Sequence, residues 1–191
     1  MSSSPKAWMV RSGRKLDEKK PDRIFEDYAI DHSLAIIGWH LPDLTGIPDS
    51  ESEARAELKR LYGIEYPKAS NNSVGVSVGQ IYKFLQIREM DIVVMPRGDE
   101  IAIGKVKGDY FYEDQHLDEP EKWHKGWRLR EGRHRIPVEW ELADVPKADL
   151  GIGIRPFLKN HQTVAEFKDE GLIEELRRLV ELNSELGVAQ S

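Results

Sequence analysis

Asp91–Val106, DIVVMPRGDEIAIGKV, is the stretch whose reading decides the fold. Ile92-Val93-Val94-Met95 is a β-branched apolar run. Pro96–Glu100 (PRGDE) carries turn residues, and Ile101–Val106 returns to apolar character. Two such runs around a proline and a glycine predict a β-hairpin with Arg97-Gly98 at its turn. Tyr110, Phe111 and Tyr112 extend the β pattern beyond it.

Upstream of the hairpin the period changes. Val74, Val78, Ile81, Tyr82 and Leu85 recur at helical spacing, with Ser73 read as the cap. Gly75 and Gly79 weaken that helix but leave room for close approach. An earlier helix is read from Ser50, where Ser50-x-x-Glu53 has the form of a capping box. Ala54, Leu58 and Leu61 form its stripe and Gly63 its end. Leu34–Trp39 reads as a short buried strand followed by a polar loop. Ile24, Phe25 and Tyr28 mark a short helix, and Ala7–Arg11 a first strand.

Downstream, 115–132 is a long insertion without periodicity. His134–Glu141 (HRIPVEWE) alternates in period two, placing Ile136, Val138 and Trp140 on one face. Residues 147–161 read as loop with short strand pieces. Leu172, Ile173, Leu176, Leu179 and Val180 mark a C-terminal amphipathic helix. Strand, helix, strand, two helices, hairpin, strand and helix in that order predict an α+β fold, a small mixed sheet curled into a barrel and flanked by helices. The domain spans 7–168, preceded by a flexible 1–6 and followed by the helical 169–191.

Composition narrows the function. Of 191 residues, 39% are apolar and 32% charged, which suits one globular domain. The absence of cysteine excludes disulfides, thiol nucleophiles and Cys-based zinc sites. No apolar run is long enough to cross a bilayer, and MSSSPKAW lacks the profile of a signal peptide. A cytoplasmic protein with no membrane partner is expected.

The net charge of −6 conceals a local excess of cations. Lys122, Lys125, Arg128, Arg130, Arg133 and Arg135 stand against the single acid Glu131, with Trp123 and Trp127 among them. Screening confines surface charge to about 8–10 Å, so such a patch can hold phosphates on an acidic protein. Lys125, Arg128, Arg130 and Arg133 are the phosphate candidates; a solvated loop is the alternative.

Trp39, at the end of a buried strand, and Trp123 and Trp127, in the basic stretch, could stack on an unpaired base. The competing reading folds these rings back as lids over the core. Trp8 and Trp140 lie on strands and read as core. Phosphate-loop, HExxH and GxSxG signatures are absent. Glu166-Phe167-Lys168, with Asp149, is the one weak match to a metal-dependent nuclease. No catalytic residue, metal or cofactor is therefore expected, and the chain is not read as an enzyme.

Several short motifs, in order along 7–168, resemble the PUA-like group: YTH and EVE domains and the N-terminal domains of Mrr-type and McrB-type restriction systems. Trp8-Met9-Val10-Arg11-Ser12 resembles the opening strand of EVE and YTH domains. Ile36-Ile37-Gly38-Trp39 is similar to the IGW of Mrr-like domains and is placed like a wall of the YTH methyladenine cage. Gly79–Phe84 followed by Met90–Val94 resembles the Mrr-type helix-to-strand passage, with Met90 where glycine is usual. Ile103–Tyr110 matches the IG-x-V-x-G-x-Y that follows. Val138-Glu139-Trp140 with Asp144–Lys147 is similar to the V-x-W…K-D-V-P of YTH domains.

This resemblance implies a reader that flips a modified base, methylated in the first instance, into an aromatic pocket. Trp39 and either Trp123 or Trp127 would sandwich the base, with Arg11, Ser12, Gln80 and Tyr110 around it. The implied partner is DNA with a modified base, or RNA. The implied role is in modification-dependent restriction or defence, beside a separate nuclease or motor subunit. An Mrr-like nuclease subunit and a PUA-like RNA binder are the alternatives.

Overall fold

The hairpin forms, and it is the middle of the sheet. The computed structural model describes residues 4–12, 24–114 and 132–188. In it β3 (Ile92–Arg97) and β4 (Glu100–Val106) pair antiparallel from Ile92↔Lys105 to Arg97↔Glu100. The turn is tighter than PRGDE suggests, because only Gly98 and Asp99 lie outside the strands. Gly98, with φ +61°, occupies the first loop position, where a type II′ turn calls for glycine. Pro96 and Arg97 belong to β3. The neighbouring strand pairs only as far as Val94, so the proline sits where β3 has a free edge and breaks no ladder.

The other elements are β1 (Ala7–Val10), α1 (Ile24–Asp31), β2 (Leu34–Ile37), α2 (Glu51–Glu65) and α3 (Asn71–Leu85). They continue with β5 (Phe111–Tyr112), β6 (His134–Pro146), α4 (Ile154–Leu158), β7 (Val164–Phe167) and α5 (Glu170–Val188). The strands form one sheet in the order β2-β6-β4-β3-β1-β7, with β5 on β6. Only β1 and β3 run parallel, so the sheet is mixed. This is an α+β fold whose sheet curls into a half-barrel flanked by helices. Among the described residues no helix is long and apolar enough to cross a membrane.

Alternation along the strands gives the sheet two apolar faces. Ala7, Met9, Ile92, Val94, Ile101 and Ile103 pack under α4 and α5 through Ile154, Leu158, Ile173, Leu176 and Val180. Trp8, Val10, Ala35, Ile37, Val93, Val106, Ile136 and Val138 share a cluster on the opposite face, which is concave because β1 and β2 both reach it. Each large side chain so buried contributes about 1.5–3 kcal/mol. Gly104 makes the curl possible. A Cβ there would lie 2.5 Å from the Glu139 carbonyl oxygen, at the point where β4 and β6 shift register.

Asp91 ties three segments together. Its carboxylate accepts the Lys6 amide at 2.8 Å, the Trp8 indole N–H at 2.7 Å and the Arg88 amide at 3.1 Å. The preceding Met90 takes φ +73°, a left-handed conformation that glycine adopts at less cost.

The structure also departs from several expectations. Ser70, not Ser73, caps α3, and its hydroxyl accepts the Ser73 amide. Ser50 does precede α2, but it makes no side-chain cap bond and the helix continues past Gly63. The first strand ends at Val10. Residues 147–161 contain a 3-10 turn and α4. β7, within a stretch read only for its acid-x-Lys pattern, is a strand paired antiparallel with β1.

Candidate functional site

β6 begins between two partners. His134 lies opposite Ile37 of β2 on one side and opposite Tyr112 of β5 on the other. Three segments therefore meet at one end of the half-barrel: Gly38-Trp39 beyond β2, Tyr110–Asp114 around β5, and Gly132–His134 entering β6. The Glu113 amide donates to the Arg133 carbonyl at 2.9 Å, holding the last two together.

Trp39 is half-buried there. It packs against the concave-face cluster and against the cluster of α2, α3, Leu41 and Leu44. Its N–H has no hydrogen-bond partner among the described residues. By contrast, the indoles of Trp8 and Trp140 donate to Asp91 and to the Ala29 carbonyl at 2.7 and 3.0 Å. Trp8 is core, as read from its strand position.

His134 is wholly buried. Its Nδ1 lies 2.9 Å from the Tyr110 hydroxyl oxygen, which also accepts the Leu44 amide at 3.2 Å. Burial pushes the imidazole down to about 4, against the opposing pull of the Leu41 and Trp39 carbonyls and of Asp43. Burial also pushes the Tyr110 phenol well above its ordinary range. At neutral pH both groups are uncharged. Period two in HRIPVEWE extends the Ile136–Val138 face back to His134, which is the signal that sequence reading left unused.

Arg133 is one phosphate candidate that can be placed. It donates to the Tyr112 hydroxyl and to Asp114 Oδ1, both at 3.1 Å, and its guanidinium lies 5.9 Å from the Tyr112 ring centroid. Trp123, Trp127, Lys125, Arg128 and Arg130 lie outside the described residues. The described residues that flank their segment, Asp114 and Gly132, are at the Trp39 end of the sheet.

The base-edge candidates have other partners. Gln80 Oε1 accepts the amides of Thr163 and Val164 at 2.5 and 3.3 Å, anchoring the start of β7. The Arg11 guanidinium donates to the carbonyls of Leu158 and Asn160 at 2.5 and 2.8 Å. Ser12 is buried, and its hydroxyl accepts the Ile36 amide at 3.3 Å across the seam between β1 and β2. Tyr110 is a neighbour of Trp39, but its hydroxyl is engaged as described. These four residues bond backbone and side-chain groups within the fold, and Arg11 Nε is the one of their atoms found buried without a partner among the described residues.

Of the nuclease candidates, Glu166 pairs with Lys6 at 3.1 Å, while Asp149 lies in the 3-10 turn after β6. Among the described residues no three His, Asp or Glu side chains are grouped to hold a metal ion.

A family model described as Domain of unknown function (DUF8426) matches residues 8–149. No curated protein and no solved structure matches the chain. The matched stretch runs from β1 through β6 and takes in Trp39, Tyr110 and His134. It covers most of the chain, which therefore belongs to the DUF8426 family.

Proposed function

We propose that this chain is a PUA-like nucleic-acid reader that stacks one flipped, modified base of DNA on Trp39 and performs no catalysis itself. The observation that carries this reading is the double register of His134. By lying opposite both Ile37 and Tyr112, it sets Trp39 beside the two flanks of the basic, tryptophan-bearing segment. An indole can stack on any unpaired base, and neighbouring cations hold the phosphates on either side. A methyl group favours such a site because it fills apolar space that a hydrated amine would not. Mixed strand pairing, α1 between β1 and β2, and the curled half-barrel accord with a PUA-like fold. A cytoplasmic role in modification-dependent restriction, with a nuclease or motor on a separate chain, follows from the same reading.

The test is a titration of DNA oligonucleotides differing in one modified base, with matched RNA as competitor. Magnesium and manganese are added in parallel to reveal cleavage. Preferential binding of one modified DNA without cleavage is the expected result. Equal or absent binding across the panel would overturn the reading. Stronger binding of RNA would favour an RNA binder, and cleavage lost on Glu166→Ala would favour a nuclease.

A further inference from the structure

The segment 38–44 leaves β2 as a strap lying over the start of β6, and its hold on the barrel is specific. The Leu44 amide donates to the Tyr110 oxygen, and the same hydroxyl lies 2.9 Å from His134 Nδ1, so one phenol bridges the strap to β6. Nε2 of that imidazole is buried without a hydrogen-bond partner among the described residues. The Leu41 amide in turn donates to the Trp39 carbonyl at 3.0 Å, closing a tight turn around His40.

We propose that Tyr110 and His134 are positioning residues that pin the 38–44 strap to β6 and so set the orientation of the Trp39 indole. Neither residue needs to touch a ligand. Tyr110 also packs edge-on against Phe84, at 6.4 Å between centroids, which fixes the phenol from the barrel side. Any consequence for a bound base rests on the proposed function, whereas the pinning does not.

The experiment uses the full chain without nucleic acid. Tyr110→Phe keeps the ring and its packing and removes the hydroxyl. Exchange of the Leu44 amide should quicken by about five- to tenfold, the equivalent of one net hydrogen bond. The Trp39 indole resonance should shift while those of Trp8 and Trp140 stay in place. Unchanged Leu44 exchange and an unmoved Trp39 resonance would overturn the proposal. If the variant does not fold, exchange of the Leu44 amide in the unmodified protein decides. Protection of that amide supports the pinning, and exchange at the rate of an open, unbonded amide overturns it. Intact pinning with no oligonucleotide binding would refute the proposed function alone.

Discussion

Ile37 and His134 lie opposite one another across β2 and β6, and this one register determines what Trp39 can reach. A slip of one residue would turn every β2 side chain to the other face. Ala35 and Ile37 would leave the concave cluster, and Trp39 would no longer bridge it to the helices.

Trp39→Ala should lower affinity for the preferred oligonucleotide by about ten- to a hundredfold, the loss of one stacked base at ~1–3 kcal/mol. The half-buried ring should cost less stability than Trp8→Ala, for which a fully buried indole predicts ~3–5 kcal/mol. Melting curves beside titrations separate the two effects. Unchanged affinity in a folded Trp39→Ala variant would remove the residue from the site.

Replacing Arg128 and Arg130 with Ala should weaken binding to all sequences alike. Each lost phosphate contact should flatten the log–log salt dependence by about 0.7–0.9. Titrations at several salt concentrations give the slope, and an unaltered slope would place the phosphate surface elsewhere.

Acid should destabilise the fold through His134. Its folded-state value of about 4 lies below the ordinary 6.5, so the unfolded chain takes up the proton first as pH falls. The stability it contributes is intact above pH ~6.5 and is lost progressively down to about pH 4, about 3 kcal/mol in all. Asp43 and the carbonyls of Trp39 and Leu41 oppose this shift, while Arg133 reinforces it. Denaturant midpoints measured between pH 7 and 4 for the native chain and His134→Asn should converge as pH falls.

Met90→Gly should stabilise the protein. A left-handed non-glycine residue costs ~1–2 kcal/mol, and the added freedom of glycine in the unfolded chain returns ~0.5–1 of it. The expected gain is about 0.5–1 kcal/mol by urea denaturation, since Met90 is exposed and little burial is lost. Met90→Val should move stability the other way.

Much of the architecture is written in local sequence. The helical spacing of Val78, Ile81 and Leu85, the alternation of Ile136 and Val138, and the glycine at the 91–106 hairpin specify α3, β6 and the β3–β4 pair through side-chain period and turn chemistry alone. What remained hidden depends on partners distant along the chain. β7 has only four residues and is a strand because β1, more than 150 residues earlier, offers it an edge. Gln80 looked available for a ligand because nothing near it in sequence reveals that Thr163 and Val164 will take its oxygen. The aromatic and basic residues of the candidate site are visible in the sequence. The meeting of Trp39, Tyr110 and Arg133 at one end of β6, and the burial that keeps His134 neutral, are decided only by tertiary pairing, because register and desolvation depend on the whole assembled core.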